Sequence, residues 1–174
     1  MARYALVDAS GVTLVRRLSD NSEQIRLDEP WYTAPEYRCP YLCFSPDDRH
    51  LAGRGYAADG LLRVRLWNLQ DRNCIVDQVS SGFYFEKALA FSPDSRQIAF
   101  MSQDHTLVLH DTNTGEVAKS LELGSRVNCL AFSSDGQHLA TDVDMKTCCR
   151  VVRLSAAAIR RIPVSSRSTP TERF

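Results

Sequence analysis

The stretch LAFSPDSRQIAF, residues 89–100, joins two apolar runs through a Ser-Pro-Asp segment. Proline presets φ for the first position of a turn, and Ser and Asp side chains bond back to nearby backbone groups. The stretch therefore predicts two β-strands connected by a tight turn. Nearly the same pattern returns as LCFSPDDRHLA at residues 42–52 and as LAFSSDGQHLA at residues 130–140. An internal repeat of this kind decides the fold before any other feature does.

The copies of the repeat are evenly spaced. Each turn follows a phenylalanine, and Phe44, Phe91 and Phe132 lie 47 (91 − 44) and 41 (132 − 91) residues apart. This interval is too long for a hairpin and suits a unit of four strands.

The position after the turn Asp is predicted to have a left-handed backbone. Hairpins of this kind often need that conformation, which Gly and Asp tolerate and Ser fits less well. The three residues at this position are Asp48, Ser95 and Gly136.

The runs that follow each turn have the period of a β-strand. Polar and apolar residues alternate in RVRLW, residues 63–67, and in TLVLH, residues 106–110. A fourth run closes the units at residues 73–79 and 116–123, and residues 3–27 read as the last three strands of a unit whose first strand is missing. The chain is therefore predicted to be all-β, with roughly fifteen strands.

The repeat resembles the WD-repeat β-propeller family from residue 3 to about residue 155. Only Trp67 supplies the family's Trp, and only Asp111 supplies its Asp. The resemblance implies an all-β fold, a partial or small β-propeller of roughly four antiparallel blades. It is carried by FSPD, FSPD and FSSD, by the paired strand after each, and by the third-strand endings at 66–68, 109–111 and 153–155.

The sequence also departs from that family. The Gly-His dipeptide that usually precedes a blade's first strand is absent from every unit. The buried network that the family builds from this His, an Asp, a hydroxyl and the Trp is therefore incomplete. Asp104 occupies the position of the network's Asp with Ser102 nearby, but His110 replaces the Trp. Somewhat weaker blades are expected.

The predicted units leave three ways to complete a ring. The chain would be the C-terminal part of a larger propeller or a truncated product of one, would be completed by a second copy or a partner chain, or would close alone as a small ring. The predicted units are a partial blade at 1–28, blades at 39–80, 86–123 and 126–164, and a disordered tail at 165–174.

The composition limits the cellular compartments and the kinds of partner that the sequence predicts. Lys plus Arg and Asp plus Glu both count 21, so no net charge attracts nucleic acid or an anionic membrane. The start of the chain lacks a signal-peptide core, and no stretch approaches the ~18 apolar residues of a membrane span. A cytoplasmic protein is predicted, with its six cysteines as reduced thiols.

Scanning for reaction chemistry gives no strong motif. GRGYAA, residues 53–58, matches a dinucleotide fingerprint formally but runs into a strand, so it is interpreted as an enlarged turn. His50 and His138 share one repeat position and are interpreted as strand surface residues. Asp142 and Asp144 are assigned to a solvated turn. No catalytic residue, metal ligand or cofactor is therefore predicted, and the chain is predicted not to be an enzyme.

Aromatic and basic residues gather in the connections that, by the resemblance, lie at one end of the ring. Such residues anchor many protein interfaces. The same rings would serve equally to pack against their own blades, so both interpretations stay open here. The candidate protein-binding face contains Trp31, Tyr32, Tyr37, Arg54, Tyr56, Phe83, Tyr84, His105 and Lys146.

The function expected from the sequence is a non-catalytic protein–protein interaction scaffold that binds a protein or peptide, with no nucleic-acid or membrane partner. Self-association through open blade edges is a further expectation. Two other interpretations stay open: a truncated fragment without activity of its own, and an accessory propeller of a larger hydrolase or nucleotide-dependent signalling protein.

Overall fold

The predicted all-β fold is confirmed. The structure, a computed structural model, describes residues 2–32, 40–80, 88–103, 106–123, 127–143 and 150–154. Within these ranges the chain forms fourteen strands in four antiparallel sheets and contains no helix. The sheets follow one another along the chain and form part of a propeller, with no closed barrel.

Each sheet is a meander, in which every strand pairs with its neighbour in sequence. Sheet 1 contains β1 (Arg3–Val7), β2 (Thr13–Arg17) and β3 (Glu23–Leu27). Sheet 2 contains β4 (Tyr41–Phe44), β5 (His50–Tyr56), β6 (Leu62–Asn68) and β7 (Cys74–Val79). Sheet 3 contains β8 (Leu89–Phe91), β9 (Gln97–Met101), β10 (Thr106–Asp111) and β11 (Val117–Glu122). Sheet 4 contains β12 (Val127–Phe132), β13 (His138–Val143) and β14 (Arg150–Arg153).

The turns after the repeat phenylalanines, two of them Ser-Pro-Asp and the third Ser-Ser-Asp, have one hydrogen-bond pattern in all three copies. In sheet 3, the Ser92 hydroxyl donates to Oδ1 of Asp94 at 2.6 Å and accepts from the backbone N–H of Gln97 at 2.9 Å. The same bonds form at Ser45 and at Ser133. The residue after each Asp is left-handed, as predicted, with φ of 60° at Asp48, 62° at Ser95 and 68° at Gly136.

A β-bulge near the end of the third strand aligns sheets 1, 2 and 3. The extra residue lies in the strand that follows, opposite Val15 and Arg16 of β2, opposite Leu66 and Trp67 of β6, and opposite Leu109 and His110 of β10. β1, β2 and β3 therefore correspond to the second, third and fourth strands of sheet 2. The described part of sheet 1 thus contains no counterpart of β4, and the partial blade expected at 1–28 stays a prediction.

Three apolar cores lie between successive sheets, which pack face to face. Sheets 1 and 2 share a core around Trp31 and Trp67. Sheets 2 and 3 share one around Leu66 and Phe100, and sheets 3 and 4 share one around Leu109. We call the face of a sheet that lies toward the preceding sheet in the chain its rear face, and we call the opposite face its front face.

The strand register defines two ends of the structure. Tyr41 pairs with Arg54, Tyr56 with Leu62, and Arg63 with Val79, so the connections between sheets meet the β5–β6 turn at one end. We call this the linker end. The Ser-Pro-Asp turns lie at the opposite end, which we call the turn end.

Three interpretations from the sequence require correction. Residues 53–56 of GRGYAA lie inside β5, so the longer second unit reflects longer strands as well as a turn: β5 and β6 have seven residues each, whereas β9 and β10 have five and six. His50 is 3% exposed and faces sheet 3, because the third sheet packs over it. Asp142 lies in strand β13 and not in a turn. Asp144 and the predicted tail at 165–174 lie outside the described residues.

Candidate functional site

Trp31 is buried in the junction between sheets 1 and 2. The connection after β3 runs alongside β5, where Trp31 pairs with Ala57 and the Tyr32 N–H donates to the carbonyl of Tyr56 at 2.8 Å. The indole of Trp31 is 2% exposed and donates to Oγ1 of Thr13 at 3.0 Å. Its hydrogen-bonding capacity is used within the protein, so the ring offers little area to a partner.

Trp67 of β6, which lies opposite the bulge in β7, completes this junction. Its ring meets Trp31 edge to face at a centroid distance of 5.9 Å and an angle of 85°. Its indole N–H donates to Oε2 of Glu29 at 2.8 Å. The Arg65 guanidinium lies 4.6 Å from the centroid of Trp31 and donates to the carbonyl of Glu29 at 2.8 Å. The connection is therefore held to sheet 2 by stacking and by charge-assisted hydrogen bonds.

Gly53 makes the insertion of Trp31 sterically feasible. A Cβ atom at this position would lie 2.7 Å from Cζ2 of Trp31 and 3.1 Å from Cζ3 of Trp67. The sequence places Phe100 at the corresponding position of sheet 3, since both residues come nine positions after the repeat phenylalanine (53 − 44 and 100 − 91). The first junction therefore takes its second aromatic ring from the connection, and the second junction takes it from a strand.

The other members of the predicted face differ in exposure. Arg54 is 3% exposed and points toward sheet 3, Tyr56 is half-buried, and Tyr32 is 43% exposed. These three residues lie together at the linker end of sheet 2. Five predicted members lie outside the described residues, namely Tyr37, Phe83, Tyr84, His105 and Lys146. The face as a whole stays a prediction.

The structure adds two exposed residues that sequence reasoning missed. Leu61 in the β5–β6 turn is 46% exposed, and Tyr41 at the start of β4 is 36% exposed. Both lie at the linker end, because Tyr41 pairs with Arg54 and Leu61 directly precedes Leu62, the partner of Tyr56. Their one sequence signal was proximity to a predicted turn, since residue type alone does not show exposure.

An open polar groove adjoins this patch between sheets 2 and 3. It has a volume of about 480 Å³, and its walls include Arg63, Gln78, Ser102 and Thr106. Arg63 forms ion pairs with Asp59 at 2.7 Å and with Asp77 at 3.0 Å. The hydrogen bond from Arg63 lowers the pKa of Asp59, and the two carboxylates raise the pKa of Arg63. The groove thus presents paired charges, amides and hydroxyls.

Groups suited to metal binding or nucleophilic chemistry do not converge among the described residues. No cluster of three or more His, Cys, Asp or Glu side chains is found there. Cys43, Cys74 and Cys129 are free thiols. Burial raises the pKa of Cys43 to about 12 and that of Cys74 to about 11, so both remain protonated at neutral pH. No helix within the described ranges is long and apolar enough to cross a membrane.

Comparison with protein families now gives a direct match. Residues 116–150 match the family model of the WD domain, G-beta repeat. This segment runs from the fourth strand of sheet 3 to the start of the third strand of sheet 4. This match, together with the four antiparallel sheets, supports a WD-repeat, propeller-like family for the chain. The match and the four antiparallel sheets confirm the resemblance carried by the Ser-Pro-Asp repeats.

WD40 domains generally mediate protein–protein interactions and are generally non-catalytic, so the match supports an interaction role in broad terms.

His110 fills the third-strand position that Trp67 fills in sheet 2. It stacks on Phe100 at 5.0 Å and bonds through its ring nitrogens to Gly115 O at 2.8 Å and Gln78 Oε1 at 3.0 Å.

Proposed function

We propose that this WD-repeat protein is a non-catalytic scaffold that presents the linker end of sheet 2 to a protein or peptide partner. The observation that carries the proposal is the exposure of Tyr32, Tyr41 and Leu61 at the linker end of sheet 2, each between 36% and 46% exposed. Exposed aromatic side chains on a rigid support are typical anchors of protein interfaces.

The support beneath this patch is rigid for identifiable reasons. Tyr32 directly follows Trp31, which is buried between sheets 1 and 2. Leu61 follows a turn closed by hydrogen bonds between Ala57 and Leu61 and between Gly60 and Ala57. A preorganised backbone lowers the conformational entropy that a partner must remove on binding, which favours affinity.

The adjoining groove favours a polypeptide over a small apolar ligand. Small-molecule sites are mostly apolar and enclosed, whereas this groove is open and lined by Arg63, Asp77, Gln78 and Ser102. Polar side chains around an apolar patch also match the polar rim of protein interfaces. The paired charges of Arg63 favour a partner that carries both hydrogen-bond donors and acceptors.

The test is a comparison of two ends of the molecule. Affinity-tagged wild-type protein would be used to capture binding proteins, and the affinity for each would be measured with Tyr32→Ser/Leu61→Ser. We expect binding to weaken by at least about tenfold, because one interface anchor contributes more than ~1.4 kcal/mol.

A matched control changes exposed apolar residues at the turn end. Leu18 and Val117 are 65% and 54% exposed. The variant Leu18→Ser/Val117→Ser should keep wild-type affinity. Equal affinity of wild type and Tyr32→Ser/Leu61→Ser for every captured protein would contradict the proposal, and so would equal weakening by the control.

A further inference from the structure

The outer edge of sheet 2 has open backbone groups. Among the described residues, β7 pairs only with β6, so the other side of β7 is a strand edge. The Ser80 N–H donates to the carbonyl of Leu62, and Gln78 lies two residues before Ser80, so both Ser80 and Gln78 bond toward β6. Successive residues of an antiparallel strand direct these groups to opposite sides. The N–H and C=O groups of Asp77 and Val79 therefore point away from the sheet.

The polar groove between sheets 2 and 3 lies along this edge. Asp77 and Val79 belong to its lining, and Thr106 and Val108 of β10 form the opposite wall. Within the described residues, the backbone groups of Asp77 and Val79 have no hydrogen-bond partner. An unpaired strand edge beside open space is a template for another extended chain.

Sheet 3 covers the same edge further toward the turn end. A Cβ atom at Gly115, in the turn between β10 and β11, would lie 2.7 Å from the carbonyl oxygen of Ile75. The edge is therefore open only from Asp77 toward the linker end, and its two outward-facing residues span about 7 Å. One short strand fits this opening, whereas the edge of a whole second sheet would collide with the turn at Gly115.

The corresponding space between sheets 1 and 2 is filled by Arg65. Arg65 and Val108 occupy the same repeat position, two residues before Trp67 and His110. The Arg65 side chain is 8% exposed and donates to the carbonyl of Glu29, in the connection after β3, at 2.8 Å. Val108 is too short to reach the connection after β7 in this way. The space is therefore left open between sheets 2 and 3.

From these observations we propose that the partner binds in an extended conformation and adds a fifth strand to sheet 2 along β7. The inference rests on the function proposed above and specifies what is recognised: main-chain groups of the partner pair with Asp77 and Val79. Side chains of an added strand alternate between the two sides of the sheet. Those on the front side meet Thr106 and Val108, and those on the rear side meet Asp77 and its ion-pair partner Arg63.

This edge is continuous with the exposed residues of the linker end. Val79 pairs with Arg63, which comes two residues after Leu61. A segment bound along β7 and continuing toward the linker end would therefore pass Leu61. The two proposals depend on different groups, namely the side chains of Tyr32 and Leu61 in one and backbone N–H groups in the other.

A synthetic peptide serves as the probe. Peptides of about eight residues would be selected from a random library on the wild-type protein, after removal of those that bind Val79→Pro. Proline at this position deletes one outward N–H, and edge strands tolerate proline. Selected peptides should bind wild type at least about tenfold more tightly than Val79→Pro. A selection that yields no such peptide would overturn the proposal.

The matched control makes the same change on the edge of sheet 3. Glu122 pairs with Thr106 as Val79 pairs with Arg63, so Glu122→Pro deletes the corresponding outward N–H of β11. The selected peptides should bind Glu122→Pro as tightly as wild type. Weakening as large as that caused by Val79→Pro would contradict recognition at β7.

Two measurements avoid any dependence on the folding of a variant. In the free wild type, the amides of Asp77 and Val79 should exchange faster with solvent than that of Gln78, and the peptide should slow them at least about tenfold. N-methylation of the peptide should abolish binding at alternate residues, because every second N–H points toward β7. Slow exchange of Asp77 and Val79 without peptide, unchanged exchange with it, or N-methylation effects that do not alternate would each overturn the proposal.

The captured proteins separate this proposal from the proposed function. Val79→Pro and Tyr32→Ser/Leu61→Ser should each weaken their binding by at least about tenfold. Weakening by Tyr32→Ser/Leu61→Ser alone would overturn strand addition and leave the proposed function standing. Wild-type affinity of both variants would overturn both.

Discussion

The junction between sheets 1 and 2 and the junction between sheets 2 and 3 each contain two buried rings, but the second ring comes from a different part of the chain in each. In both, the third strand of the later sheet supplies a buried ring opposite the bulge, Trp67 in the first junction and His110 in the second. The second ring comes from Trp31 in the connection or from Phe100 in a strand. The difference depends on Gly53, because a side chain there would occupy the space of Trp31.

This comparison shows that a repeat position specifies a role and not a residue. The Trp67 indole has one N–H and donates it to the Glu29 carboxylate, whereas the His110 imidazole has two ring nitrogens that meet Gly115 O and Gln78 Oε1. Each ring lies beside groups that suit its own hydrogen-bonding capacity. The sequence predicts weaker blades where the family's Trp is absent. Measuring how much His110 contributes to the free energy of unfolding tests this prediction.

The largest loss of stability is expected when the ring of Trp67 or of His110 is removed. Trp67→Ala should lower the free energy of unfolding by about 3–5 kcal/mol, because a fully buried large ring is lost. His110→Ala should cost less, about 2 kcal/mol, since a smaller ring and two hydrogen bonds are lost. Urea denaturation of both variants measures the difference. An equal cost at the two positions would contradict the expectation that replacing the family's Trp by His110 weakens the blade.

The next largest loss of stability tests whether Gly53, at the position where sheet 3 has Phe100, is needed to leave space for Trp31. Gly53→Ala should cost about 1–3 kcal/mol, because its Cβ would overlap Trp31 and Trp67 in a packed core. In a double-mutant cycle with Trp31→Ala, the added methyl group finds space and the combined cost should be smaller than the sum by about 1 kcal/mol or more. Additive costs, measured by urea denaturation, would show that Gly53 does not serve to admit Trp31.

The smallest expected effect is the pH dependence of stability that comes from His50, a second histidine in the junction between sheets 2 and 3. His50 faces sheet 3, and neither ring nitrogen has a hydrogen-bond partner within the described residues. Burial lowers the pKa of His50 and Arg49 lowers it further, while Asp47 and Asp111 oppose the shift. The folded state therefore binds fewer protons than the unfolded state, and stability should fall as pH drops below about 6.5 toward the lower folded pKa.

Replacement of this residue isolates its contribution. His50→Gln introduces the residue that sheet 3 has at the same position, Gln97. Between pH 7 and pH 5 its free energy of unfolding should fall by less than that of wild type, by up to about 1 kcal/mol. His138→Gln is the matched control, because its side chain is 37% exposed. Parallel pH profiles for wild type and His50→Gln would exclude this contribution.

The sequence predicted the conformation of the turns correctly, but it did not predict which side chains are buried between sheets. The left-handed residue at Asp48, Ser95 and Gly136 followed from local turn chemistry, and the structure confirms it. The interpretation of His50 as a surface residue was wrong, because its burial comes from sheet 3, a neighbour roughly forty residues away in sequence. The exposure of Tyr41 and Leu61 was not predicted for the same reason.

By itself, the sequence determined the repeat, the turns and the strand order within each sheet. These features depend on the alternation of residues and on turns, which are local properties of the chain. Only the tertiary structure decided that Trp31 is a buried anchor, that His110 replaces a Trp, and that Ala140 stands partly exposed while Ala52 and Ala99 are covered. Burial depends on which sheet packs against a residue, and similar local sequences in different sheets meet different neighbours.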